Sequence, residues 1–211
     1  MTQIVRIEDG VVVGTSGGKY DSANPVARYL LGQFDRAISD LAAHVSPSSV
    51  LEVGCGEGHV TKLLLEATEA RILATDLSAS MVAEAEKTLC SDRVTYQVLN
   101  VMSLEATDPP PDLVVCCEVL EHLDEPDKAI EKLRALGARS YLLSVPREPI
   151  WRALNMSRGA YLKEFGNSPG HLQHWSKRGF LSFIEGVFEP IIVRSPLPWT
   201  VVLCRPRNGH A

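Results

Sequence analysis

The sequence predicts an α/β fold built on a mostly parallel sheet, and two observations carry that reading. Short runs rich in β-branched residues alternate with stretches whose apolar residues recur every three or four positions, the pattern of right-handed βαβ units. The first such run, Ser49-Val50-Leu51-Glu52-Val53, passes into Gly54, Gly56 and Gly58, spaced one residue apart, and these open the helical stretch HVTKLLLEA.

Taken in order, residues 1–23 are rich in Gly and Ser (GTSGGKYDS) and read as a mobile arm that orders over a ligand, with Tyr20 among the covering residues. From Asn24 the apolar residues Val26, Tyr29, Leu30, Phe34, Ala37, Ile38 and Leu41 predict an amphipathic helix over 24–44, with Asn24 as cap and Pro25 in the first turn. Strands follow at 49–54, 71–76, 94–99, 112–117 and 139–145, with helices at 58–67, 78–89 and 126–136. Pro146, Pro149, Gly159, Gly166, Pro169 and Gly170 break up the next stretch, which reads as an inserted substrate lobe over 146–178 with a helix within 149–164. A helix over 176–185 and strands at 187–193 and 199–204 close the chain, the strands joined by Ser195-Pro196-Leu197-Pro198. The whole is read as a single domain, with 45–145 as its cofactor-binding core and 179–211 as its closing helix and strands.

Bulk properties narrow the function. With 211 residues, 45% hydrophobic and 22% charged, the chain has the composition of one globular domain, and no apolar run approaches the roughly 20 residues that span a bilayer. The opening MTQIVRIEDG lacks the basic start and apolar block of a secretory signal, so the expected compartment is the cytoplasm. Cys55, Cys90, Cys116, Cys117 and Cys204 show neither a paired framework nor C-x-x-C spacing and read as reduced thiols. A net charge of −5 argues against long nucleic acids, whose phosphates are held by Lys and Arg.

Ligands of open α/β sheets bind beyond the carboxyl ends of the strands, so the glycine loop is the place to look. A dinucleotide fingerprint needs a third glycine at position 59, which is His59. Glu52, just before the glycines, would repel a pyrophosphate, but favours the ammonium and sulfonium of S-adenosylmethionine. Asp76, ending the second strand in RILATDLS, is placed to accept hydrogen bonds from ribose hydroxyls.

Residues 50–65 and 71–76 thus resemble the first two motifs of the class I S-adenosylmethionine-dependent methyltransferases, and the likeness extends over roughly 24–145. The resemblance implies a Rossmann-like, seven-stranded, mostly parallel sheet with helices on both faces and a C-terminal antiparallel strand. It implies that Glu52, Gly54, Cys55, Gly56 and Gly58 surround the methionine end, and that Asp76 and Leu77 contact ribose and adenine. Val101 and Cys117 join this cofactor set. Where the family usually carries an acid for the adenine amino group stands Asn100, whose side-chain oxygen still accepts. Asn24-Pro25-Val26-Ala27-Arg28 is similar to the N-P-x-R stretch of the ubiquinone-biosynthesis O-methyltransferases, which makes Arg28 a candidate for the methionine carboxylate.

The fourth strand runs into Glu118-Val119-Leu120-Glu121-His122. In a helical turn, Glu118, Glu121 and His122 would project from one side. Three readings stand. The turn resembles the E-x-x-E-H of the ubiquinone enzymes and of small-RNA 3′-terminal 2′-O-methyltransferases, where it can hold a divalent ion, with His171 as fourth ligand. Alternatively His122 alone is a general base. Otherwise the carboxylates are structural. The metal is therefore left uncommitted, and Glu118, His122 and His171 are the candidate catalytic residues.

Between 146 and 178, six basic residues stand against two acidic ones, interleaved with Trp151, Tyr161, Phe165, His171, His174 and Trp175. Such a surface suits an anionic acceptor, unless the charges form an ordinary solvated face over core aromatics. The reading is a methyltransferase acting on a small-molecule acceptor, by O-methylation. Its rivals are an RNA 3′-terminal 2′-O-methyltransferase with a divalent metal and a non-catalytic S-adenosylmethionine-binding regulator.

Overall fold

The computed structural model describes residues 6–8, 11–13, 24–157, 159, 161–168 and 170–207. Arg6–Glu8 (β1) and Val11–Val13 (β2) pair as a short antiparallel hairpin inside the stretch read as a mobile arm. Tyr20 lies outside the described residues.

Helix α1 (Pro25–Val45) starts where the sequence places it. The Asn24 side chain accepts from the Val26 amide at 2.9 Å, and proline occupies the first turn, where no amide partner is needed. Ser46, left-handed at φ 49°, ends it. Its apolar stripe buries Phe34, Ala37, Ile38, Leu41 and Ala42 against the sheet.

Seven strands follow: β3 (Ser49–Val53), β4 (Arg71–Asp76), β5 (Val94–Val98), β6 (Leu113–Cys117), β7 (Ser140–Pro146), β8 (Phe188–Arg194) and β9 (Trp199–Pro206). They order β5-β4-β3-β6-β7-β9-β8, parallel except for β9, which runs antiparallel to both its neighbours. The intervening helices are α2 (His59–Ala67), α3 (Ala79–Thr88), α4 (Pro126–Ala135), α5 (Ile150–Ser157) and α6 (Lys177–Ile184). Because the chain steps outward from β3 to β5 and then returns to lay β6 against β3, the order reverses between these two strands. The loops leaving their carboxyl ends therefore diverge and open a crevice.

Each face carries its own core. Val114, Cys116, Leu143 and Val145 pack with Ile130, Leu133, Phe180 and Phe188 on one side. Val115, Cys117 and Leu142 pack with Phe34, Ile38, Leu41 and Leu64 on the other. Every residue of β6 and β7 is buried, as expected for parallel strands covered on both faces. At the opposite edge Asp112 registers β6 against β3 by accepting from the amides of Ser48 (2.8 Å) and Ser49 (3.3 Å).

The lobe holds the helix expected within 149–164: α5 stops at Ser157, and Gly159, at φ 72°, turns the chain out of the helical path. A separate 3₁₀ turn forms at Leu162–Glu164. The excursion closes on itself, because Arg147 bridges Trp175 and the Glu148 amide donates to the Trp175 carbonyl at 2.8 Å.

Since Ile38 is wholly buried under the sheet, Ile38→Ala should cost about 2–4 kcal/mol in urea unfolding. Val26→Ala, at an exposed position of the same helix, should stay within about 0.5 kcal/mol.

Candidate active site

The loop between β3 and α2 is tied to the end of β4. The amides of Gly54 and Cys55 both donate to the Thr75 carbonyl (2.7 and 2.9 Å), and the Gly56 amide donates to Asp76 Oδ2 at 2.9 Å. The Thr75 hydroxyl donates to the Glu52 carbonyl at 2.8 Å. Both Gly54 and Gly56 have positive φ, but only Gly54 is needed for space as well. A Cβ on Gly54 (φ 81°) would collide with the Val119 side chain, whereas one on Gly56 (φ 53°) would meet nothing within 4 Å. Gly56 thus faces open space at the crevice, where any side chain would intrude on a ligand.

Glu52 sits beneath this loop, 2% exposed. Its Oε2 accepts from the Thr61 hydroxyl at 2.6 Å, and its buried Oε1 has no hydrogen-bond partner. Burial raises its pKa to about 7, with Thr61 pulling down and the Asp76 charge pushing up. A buried carboxyl held partly protonated fits a cationic ligand, whose charge would restore the ionised form. With the acidic donor set and the open side of Gly56, these residues fit S-adenosylmethionine.

The remaining cofactor candidates spread along the same edge. Asp76 is half-buried, and its Oδ1 accepts from the Ser78 amide at 2.9 Å, so both oxygens already brace backbone and offer only their second lone pairs to a ribose. Asn100 caps the 3₁₀ turn Val101–Ser103 by accepting from the Met102 amide at 2.9 Å. Leu77 is half-buried and Val101 buried. Cys55 and Cys117 are buried, and burial drives both thiols well above their ordinary range, so neither is a thiolate nucleophile. Arg28 is exposed on the first turn of α1.

The turn after β6 corrects the shared-face expectation for Glu118. Glu118 has left-handed backbone at φ 59°, and the 3₁₀ turn begins only at Leu120. The side chain therefore departs from the face carrying Glu121 and His122. Its Oε1 accepts from the Ser144 hydroxyl at 3.2 Å and its Oε2 from the Trp199 indole at 2.8 Å. The cluster that forms is Glu121, His122 and His171, whose ligand-capable atoms all lie within 4.8 Å of one another. His122 Nδ1 lies 2.9 Å from the Gly170 carbonyl, an acceptor only, so Nδ1 carries a proton. Glu121 is 1% exposed, and its carboxylate lies 3.9 Å from His122 Nε2. The lobe is pinned here as well, since the Leu172 and Gln173 amides donate to the Glu121 carbonyl at 2.8 and 3.0 Å.

The basic and aromatic residues of the lobe divide. Trp151 (9% exposed) stacks on His171 with centroids 5.7 Å apart, while Trp175 turns into the core against Phe180 and Phe183. His174 pairs with Asn167 at 2.9 Å. Phe165 is 70% exposed and Tyr161 half-buried. Arg147 and Arg152 are half-buried and Lys177 and Arg178 exposed, whereas Arg158 and the Lys163 side chain lie outside the description. Thr61, Ser144 and Trp199 were not singled out by sequence reasoning. Thr61 alone carries a signal, a hydroxyl on the otherwise apolar inward face of α2.

Comparison with known proteins bears on the domain and its fold. Residues 51–139 match the model of the family described as a methyltransferase domain. The trans-aconitate 2-methyltransferase of Methylobacterium nodulans is 40% identical over 92 residues, which are 42% of this chain and 34% of that protein. A ubiquinone biosynthesis O-methyltransferase of Paraburkholderia xenovorans is 31% identical over 100 residues, 46% of this chain and 43% of that one. The chain thus spans less than half the length of these relatives. Among solved structures, the N-methyltransferase NodS of Bradyrhizobium japonicum in complex with S-adenosyl-L-homocysteine superposes with TM-score 0.68 at 15% identity, covering 93% of this chain and 95% of that one. The magnesium protoporphyrin IX methyltransferase of Synechocystis with bound SAH gives 0.65 at 18% identity, covering 88% and 89%. The glycine loop thus lies within a stretch that matches a methyltransferase domain, and the chain shares its fold with these methyltransferase structures.

Proposed function

We propose that the protein methylates an oxygen of a small, anionic acceptor, with His122 as the base. The observation that carries the reading is the His122–Gly170 hydrogen bond, which engages the Nδ1 proton and leaves Nε2, in the cluster with Glu121 and His171, as the ring nitrogen that would accept one. S-adenosylmethionine, when bound, supplies an electrophilic methyl on a sulfonium. Glu52 and the glycine loop would receive its methionine end, Asp76 and Leu77 its ribose and adenine, with Asn100 at the adenine amino group. Transfer is an in-line displacement, so the protein's task is alignment, exclusion of water and proton removal, and alignment alone contributes up to roughly 7–11 kcal/mol. The acceptor hydroxyl would give its proton to His122 Nε2 as its oxygen takes the methyl.

An anionic acceptor is supported by Arg147, whose guanidinium Nε is buried with no hydrogen-bond partner at the end of β7. A guanidinium cannot shed its charge, so an anion beside it offsets the burial. Relatives named for trans-aconitate and for a malonyl group carried on a protein are consistent with this, as is the basic lobe. The Glu121, His122 and His171 cluster supports a second reading, in which these residues hold Mg²⁺ or Mn²⁺. Such an ion would lower the pKa of an acceptor hydroxyl and orient it.

Three outcomes are expected. Gly56→Arg should abolish S-adenosylmethionine binding in calorimetry, and an unchanged affinity would sink the assignment of the loop. Glu52 titrates near pH 7 in the free protein, and a cationic ligand lowers that value, so affinity is lost as pH falls through 7. The dissociation constant should rise up to about tenfold per pH unit on the acid side, and Glu52→Gln should flatten that dependence. With a pool of small carboxylated and phosphorylated metabolites, S-adenosylhomocysteine release should fall about 10²–10⁴-fold in His122→Ala. Tight donor binding with no turnover across such pools would point instead to a non-catalytic binding protein. Insensitivity to chelators together with retained activity in His171→Ala would rule out the metal reading.

A further inference from the structure

Helix α5 carries Trp151 and Asn155 one turn apart, and both reach the same segment of the lobe. Asn155 is 3% exposed, and its amide nitrogen donates to the Gly166 carbonyl at 2.8 Å and to the Ser168 hydroxyl at 3.2 Å. The same hydroxyl oxygen accepts from the Trp151 indole at 2.9 Å. The segment lies so close to the helix that a Cβ on Gly166 (φ 78°) would collide with the Arg152 carbonyl. Beyond Ser168 the chain reaches Gly170, which fixes His122, and His171. The His171 ring stacks on Trp151 at 27° and meets His122 edge-on, with centroids 5.0 Å apart.

Burying an amide costs free energy unless its hydrogens are used, and here they are used on one short segment. We propose that Asn155 is a positioning residue that, through Gly166 and Ser168, sets His171 and the Trp151 ring beneath it against His122 and Glu121. The inference rests on the reading of His122 and His171 as the working side chains of the site. Asn155 is too buried to contribute to the acceptor surface, and its hydrogen bonds to Gly166 and Ser168 run into the lobe, not to the glycine loop. Its loss therefore separates turnover from donor binding, because a small displacement of a reacting group costs far more in rate than in the affinity of a ligand held elsewhere.

Two variants test it, Asn155→Leu, which removes both donated hydrogen bonds at similar volume, and Ser168→Ala, which removes the shared hydroxyl. In imidazole-labelled NMR spectra without acceptor, the His171 ring protons, assigned against His171→Ala, should lose the shielding of the Trp151 face in both variants. In turnover, kcat should fall about 10²-fold in Asn155→Leu and less in Ser168→Ala, with S-adenosylmethionine affinity within about twofold of wild type. Unmoved His171 resonances would overturn the proposal. So would donor affinity falling in parallel with kcat in both variants, since that marks a general loss of fold. If His171→Ala turns over like wild type, the role given to His171 fails separately, and the ring shift still decides whether Asn155 places it.

Discussion

The crevice depends on the tie between the first glycine turn and the neighbouring strand. Two consecutive amides, of Gly54 and Cys55, converge on the Thr75 carbonyl, and the next free amide, of Gly56, closes on Asp76. This draws the loop across the end of β4, away from β6, at the place where the strand order reverses. The loop is held through its own backbone amides, two on a carbonyl and one on the Asp76 carboxylate, so its side-chain positions are released for a ligand. The collision of any Gly54 side chain with Val119 links it to the turn that carries Glu121 and His122. Donor loop and acceptor turn are therefore packed against one another.

That packing places charge where solvent cannot screen it. Glu52 is buried under the loop with one oxygen bonded to Thr61, and the cost of ionising it there on the order of 3 kcal/mol follows from its raised pKa. The free protein carries this cost above neutral pH and is relieved of it below. A raised carboxyl pKa favours the folded state at low pH and withdraws that support between about pH 4.5 and about 7. Ligand charge and fold stability are thereby coupled through one side chain.

Much of the sheet was legible in the sequence, because its signals are local. The alternation of apolar runs with helical periodicity, the Asn24-Pro25 cap and the glycine spacing each depend on residues within a turn or two of one another. The positions of Glu52 and Asp76 on β3 and β4 follow for the same reason, whereas the Thr61 hydroxyl on Glu52 comes from the next helix and does not. Glu118 could not be anticipated, because the i, i+3, i+4 rule assumes helical backbone and a single left-handed residue turned its carboxylate toward Ser144 and Trp199, 26 and 81 positions away. The partners of Asn155 escaped for a related reason, since they lie on a loop that folds back over the helix. What joins His122 to His171 is likewise a contact across 48 positions, through Gly170.

The bridge between Arg147 and Trp175 has a consequence for how such a protein diversifies. The excursion from 148 to 174 leaves and rejoins the sheet at adjacent points, so its ends remain the same distance apart whatever lies between them. Lengthening such a segment costs only the slow logarithmic growth of loop entropy, and strand register is untouched. On the proposed reading of this lobe, acceptor choice can drift across generations of sequence while the donor side of the crevice stays constant.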